Sequence, residues 1–133
     1  MNNYKTNNMA KKELRELTHA ELEVMQILWE KKKALVREVL DEMPEPKPAY
    51  NTVSTVIRVL EKKGFVSHKA FGTTYQYFPL MRKKEYTKGF MDNVMHNFFG
   101  GSIHQMLNFF NDTKSVSISE LEEIIQIMKE ESR

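Results

Sequence analysis

One stretch of this chain places side chains suited to nucleic-acid bases along a single side of a helix. Asn51, Thr52, Ser54, Thr55 and Arg58 lie on the polar side of residues 49–63, opposite Val53, Val56, Ile57 and Leu60. Asn offers a bidentate donor–acceptor pair to adenine, and the Thr methyl meets the methyl of thymine. Short polar side chains also let a helix approach base edges closely. Arg58, Lys62 and Lys63 come later in the segment and suit phosphates, which position a protein on the duplex without reading its sequence. Lys69, Thr73 and Thr74 surround Gly72 and are read as further backbone contacts from a hairpin. Tyr75 is read as either a DNA contact or core packing against the third helix.

Other chemistry is poorly represented. The four histidines are His19, His68, His96 and His104, and no two of them have the i, i+4 spacing of a helical metal pair. There is no Gly-rich phosphate cradle, nucleophile elbow or convincing carboxylate pair. Zero cysteines excludes disulfides, thiolate metal sites and cysteine nucleophiles, and fits a cytoplasmic address. The expectation is a non-enzyme with no metal and no cofactor.

The 133 residues allow one domain or two small cooperating units. Net charge is only +2, yet residues 47–88 carry nine basic side chains against two acidic ones, a local +7. Residues 114–133 carry three basic and five acidic. A polyanion is the natural partner of the middle of the chain. No apolar run approaches the length of a membrane span, and residues 1–17 have no apolar segment of the secretion-signal type. Direct membrane insertion is not expected.

The elements that must position these residues follow from periodicity and caps. Residues 1–12 are read as a flexible arm. Thr18 and Glu21 have the spacing of a capping box, followed by Leu22, Met25, Leu28 and Trp29 on one helical face. That helix is expected to end within residues 30–33. A second helix over 35–43 buries Val36, Val39, Leu40 and Met43 and is broken by Pro44, Pro46 and Pro48. The third helix, over 49–63, stops at Gly64. Two β-rich runs, 65–70 and 75–78, flank a Gly-containing turn. Helix, helix, helix and hairpin make a winged helix-turn-helix over 13–80.

Residues 81–133 read as a separate helical domain. Tyr86, Phe90, Val94 and Phe98 recur every four residues along one helix. Gly100 and Gly101 break it, and Ser102 opens a shorter helix bearing Ile103, Met106, Leu107 and Phe110. Ser117 or Ser119 caps a last helix bearing Leu121, Ile124, Ile125 and Met128. So much apolar surface on three short helices leaves a monomer wet, at roughly 1.5–3 kcal/mol for each large side chain left exposed. The expectation is a homodimer built on Phe90, Val94, Phe98 and these two helices. The fold class is mainly α with a small β-hairpin wing, the N-terminal domain followed by a helical dimerisation domain. Two-fold symmetry of that kind matches palindromic DNA.

At this level the chain resembles the penicillinase repressor family, the BlaI/MecI/CopY group. The resemblance runs over about residues 17–131. It is carried by 17–29 (LTHAELEVMQILW), by 50–64 (YNTVSTVIRVLEKKG) as a recognition helix, by 75–79 (YQYFP) as the second wing strand, and by 106–109 (MLNF) in the dimerisation region. It implies a dimeric repressor of antibiotic-resistance genes acting at inverted-repeat operators in double-stranded DNA. It also implies an upstream membrane sensor-protease whose signal leads to cleavage between an Asn and a Phe, here Asn108 and Phe109. The copper-responsive branch releases DNA through C-terminal cysteines, and a chain with no cysteine departs from it. Two other readings stay open: a dimeric winged-helix module for protein contacts, and a ligand-responsive repressor released without proteolysis.

Overall fold

A computed structural model describes residues 16–131. The arm expected over 1–12 lies outside them. Among the described residues, six helices and three short strands follow in the order α1 (His19–Lys31), β1 (Ala34–Leu35), α2 (Val36–Glu42), α3 (Tyr50–Lys62), β2 (Val66–Phe71), β3 (Thr74–Pro79), α4 (Lys83–Phe99), α5 (Ile103–Asp112) and α6 (Ile118–Glu131). The chain forms two compact units, one ending at Phe90 and the other starting at Met91. The expected boundary fell after residue 80, so the first turns of α4 belong with the winged unit.

Local chemistry explains most of the first unit. The Thr18 hydroxyl accepts from the Glu21 amide at 3.2 Å, and the Glu21 carboxylate accepts from the Thr18 amide at 3.0 Å. This satisfies two of the donors that open α1. The inward face of α1 is Glu21, Val24, Met25 and Leu28. Val24 replaces Leu22 in the expected stripe. Leu22 and Trp29 are half-buried at its edge, where the Trp29 indole N–H donates to the Met81 carbonyl at 2.8 Å. The proline turn after α2 is held by Lys47, whose ammonium donates to the carbonyls of Leu40, Asp41 and Met43 at 3.2, 2.9 and 2.6 Å. Those carbonyls end a helix and need donors.

The sheet has three strands where two were expected. Ala34 and Leu35 pair antiparallel with Tyr77 and Gln76, giving the order β1-β3-β2. β2 and β3 form the wing, with Phe71 opposite Thr74 and Gly72 in the turn at φ +63°. Gly64 ends α3 at φ +89°, a conformation that favours glycine. One core joins α1, α2, α3, the sheet base, Phe65 and Tyr86. The Tyr86 hydroxyl accepts from the buried Leu17 amide at 2.8 Å, which ties α4 to the start of α1. Phe90 is half-buried against this core and stacks near Tyr86, with ring centroids 6.2 Å apart. It was expected among the dimer residues, but its partners are in the winged unit.

In the second unit the Ser102 hydroxyl accepts from the Gln105 amide, and Ser117 caps α6 through the Glu120 amide. Neither α5 nor α6 contains a fully buried residue. Val94, Met106, Leu107, Phe110 and Leu121 are half-buried, while Phe98, Ile103, Ile124, Ile125 and Met128 are exposed.

Glu21 supplies the stability test for the winged unit. It is 5% exposed, and its second carboxylate oxygen is 2.7 Å from the Lys63 ammonium at the end of α3. Burial alone raises a carboxyl, but the Lys63 ammonium and the Thr18 amide and hydroxyl outweigh it and hold Glu21 below its ordinary value. A depressed folded-state value means stability that is present above the unfolded carboxylate range and lost as pH falls through the folded value. Urea midpoints are therefore expected to fall on acidification below about pH 4.3. Glu21→Gln is expected to be less stable at neutral pH and to show a flatter acid limb. An unchanged acid limb would contradict the assignment.

Candidate nucleic-acid interface

α3 buries Val53, Ile57 and Leu60 and leaves Asn51, Thr52, Thr55, Arg58 and Lys62 exposed. The division follows from the helical period: apolar positions at 53, 57 and 60 lie on one stripe, and 51, 52, 55, 58 and 62 lie outside it. Ser54 is half-buried at the edge. The Arg58 guanidinium lies 3.5 Å from the Thr55 hydroxyl one turn earlier, so the two share one exposed strip. On the wing, Lys69, Thr73 and Thr74 are all exposed. The expected helix set and wing set therefore both reach the surface of one unit.

Lys63 is the exception. Its ammonium is engaged with Glu21 on α1, so it anchors α3 instead of standing free for a phosphate. Other members of the positive field are similarly committed. Lys47 caps α2, and the Arg82 guanidinium donates to Glu85 at 3.1 Å in the first turn of α4. Glu85 is already counted in the local +7 and Lys47 keeps its charge on neutral carbonyls, so of these pairings only Lys63 with Glu21 brings in an acid from outside the segment. Arg58, Lys62 and Lys69 remain the most direct contributors to the positive field on the helix and wing.

A cluster at the base of the wing went unread in the sequence. The Glu61 carboxylate, in the last turn of α3, is 2.6 Å from His68 Nδ1 on β2. The His68 ring packs against Tyr75 and Tyr77, with centroids 4.2 and 5.5 Å away. Burial, followed by the charge of Glu61, pushes the Tyr77 hydroxyl above its ordinary value, so it is uncharged at physiological pH. Glu61 and His68 are seven residues apart, a two-turn helical spacing, but α3 ends at Lys62 and His68 lies on β2, so only the fold brings them together.

Among the described residues, no group of three or more His, Asp or Glu side chains could hold a metal ion. No described helix is long and apolar enough to cross a membrane.

The Asn108–Phe109 bond lies inside α5. The Phe109 ring is 49% exposed and contacts Phe99 and Phe110 at 5.6 and 5.8 Å.

A penicillinase repressor of Bacillus licheniformis is 27% identical over 120 residues, covering 90% of this chain and 94% of the relative. The methicillin resistance regulatory protein MecI of Staphylococcus aureus is 29% identical over 114 residues, covering 85% and 93%. The solution structure of the DNA binding domain of the repressor BlaI overlaps 55% of this chain and 90% of that domain, at 28% identity and a TM-score of 0.48. The family model described as penicillinase repressor matches residues 17–130, and on that match the chain belongs to the penicillinase repressor family.

Proposed function

We propose that this chain is a cytoplasmic, homodimeric, sequence-specific DNA-binding transcriptional repressor that acts at inverted-repeat operators. The observation that carries the reading is α3, buried on one stripe and exposed on the strip bearing Asn51, Thr52, Thr55, Arg58 and Lys62. In this reading Asn51, Thr52 and Thr55 meet base edges, with Ser54 at the margin. Arg58 and Lys62 hold phosphates, and the wing adds Lys69, Thr73 and Thr74. The names of its relatives, penicillinase repressor and methicillin resistance regulatory protein, support a repressor. The exposed apolar faces of α5 and α6 support a second copy as their cover. The proposed interface uses Val94, Phe98, Ile103, Met106, Leu107, Phe110, Leu121, Ile124, Ile125 and Met128.

Release is proposed to follow cleavage of Asn108–Phe109 through a membrane sensor-protease pathway. The bond sits within a helix, so a protease must first unwind α5 to accommodate it in an extended form. Cutting there separates α6 from the rest of the chain and weakens the link between two half-site contacts. Such a link raises affinity by roughly 100-fold or more.

Genome-wide capture of bound DNA, followed by binding to the recovered site across a salt series, tests the repressor reading. An inverted repeat is expected, with affinity falling about 10³–10⁵ between about 50 and 200 mM salt if six to ten phosphates are neutralised. The double substitution R58A/K62A is expected to lower the salt slope by about four per dimer. Scattered capture or a flat salt profile would contradict the reading. For release, immunoblots of cells exposed to a β-lactam are expected to show a fragment ending at Asn108. An intact chain that has left its operator would assign release to a ligand.

A further inference from the structure

We propose that Tyr75 is itself a DNA-contacting residue, and that Glu61 and His68 are positioning residues that hold it by tying the wing to the recognition helix. The inference rests on the DNA-binding reading above and adds to it a contact and a device.

Strand register places the groups. His68 pairs opposite Tyr77, and Ala70 opposite Tyr75, so these four share one face of the wing. Lys69, Phe71, Thr74 and Gln76 occupy the other face. Tyr77 is 4% exposed and lies in the core beneath α3. Two residues further out on the same face, Tyr75 is 51% exposed. Tyr75 therefore stands where the helix-facing side of the wing emerges from the core. Arg58 and Glu61 of α3 both act electrostatically on the Tyr77 hydroxyl, which brings the phosphate-binding strip of the helix close to this spot.

The ring of Tyr75 is braced although it is exposed. His68 packs on it at 4.2 Å with planes 38° apart, and Tyr77 meets it edge-on at 6.4 Å. His68 is in turn held at 2.6 Å by Glu61. Helix end, imidazole and phenol thus form one chain of contacts from α3 to the wing surface. Among the described residues, none is hydrogen-bonded to the Tyr75 hydroxyl. A phenol can donate to a phosphate oxygen, and tyrosine brings a large, rigid surface with little rotamer entropy to lose. Bracing lowers that cost further, because the ring is ordered before DNA arrives. The occupant that fits is the sugar–phosphate backbone between helix and wing, since the Arg58 charge reaches the neighbouring Tyr77 hydroxyl from the helix.

Operator binding by fluorescence anisotropy, with thermal melts and phosphate ethylation interference on each variant, tests this. Tyr75→Ala is expected to weaken operator binding about tenfold and Tyr75→Phe about threefold, with melting temperatures unchanged. Interference is expected to fade at one phosphate per half-site, and nowhere else. Glu61→Ala is expected to reproduce most of the Tyr75→Ala loss, and Glu61→Gln, which still accepts from the His68 Nδ1–H, to recover much of it. The pair E61A/Y75A is expected to bind no more weakly than Y75A alone. Should Y75A bind like wild type, or retain every interference position, the contact is overturned. Should the E61A and Y75A losses multiply, the bracing role is overturned. If wild type shows no operator preference, the repressor reading fails and takes this inference with it. If wild type selects its operator and the Tyr75 variants match it, only this inference fails.

Discussion

Everything in the winged unit depends on one helix being held by a single stripe. α3 buries Val53, Ile57 and Leu60, with Val56 half-buried beside them, and leaves Tyr50 and Val59 exposed. Each such side chain contributes roughly 1.5–3 kcal/mol on burial, so the stripe dominates the rotation of the helix about its axis. Turning α3 by one residue, about 100°, would carry apolar side chains into water and draw polar ones inward. The orientation of the polar strip is therefore a by-product of core packing. Glu21–Lys63 and Glu61–His68 then pin the C-terminal end of α3 to α1 and to the wing. Both pairs are short, and one of the four groups, Glu21, is almost fully buried. A partly buried pair is costly to break, because the remaining charge is left without its partner.

The second unit poses the opposite problem. Its helices are well capped at Ser102 and Ser117, so their ends are satisfied locally, but their apolar faces are not. Phe98 is 75% exposed and Met128 60%, with Ile118 and Ile127 also largely in water. Exposed apolar residues in this number support the proposal that a second copy covers them. A second copy satisfies both halves by symmetry, as isologous interfaces do. In the proposed dimer, stability and DNA affinity would share a cause, because the second copy that covers this surface would also join two copies of α3 into one ligand for a repeated site. Proteolysis within α5 would act on both at once.

Much of this was legible in the sequence, and the gaps have physical reasons. Caps are local, so Thr18–Glu21, Gly64 and Ser102 could be read from spacing alone. The polar strip of α3 was legible because 3.6-residue periodicity separates it from Val53, Ile57 and Leu60. β1 was not legible: two residues carry no strand period, and Ala34–Leu35 is a strand only because β3 lies beside it. Phe90 shows the limit of periodicity. Its spacing from Val94 and Phe98 gives the face of the helix but not the partner, and the first turns of α4 pack on the winged core. The charge count of the middle segment likewise gave no partners: Lys63 faces Glu21 across 42 residues, a pairing that only the fold creates. Glu61–His68 joins a helix to a strand, and no local pattern announces such a pair.

The account makes two copies and two half-sites inseparable, and this can be weighed directly. Purified full-length chain would be titrated onto its recovered operator and onto a single half-site of equal length, with the mass of each complex taken by sedimentation. Two chains are expected on the full repeat, bound about 100-fold or more tightly than on the half-site. One chain on the full repeat, with the affinity it shows for a half-site, would contradict the account.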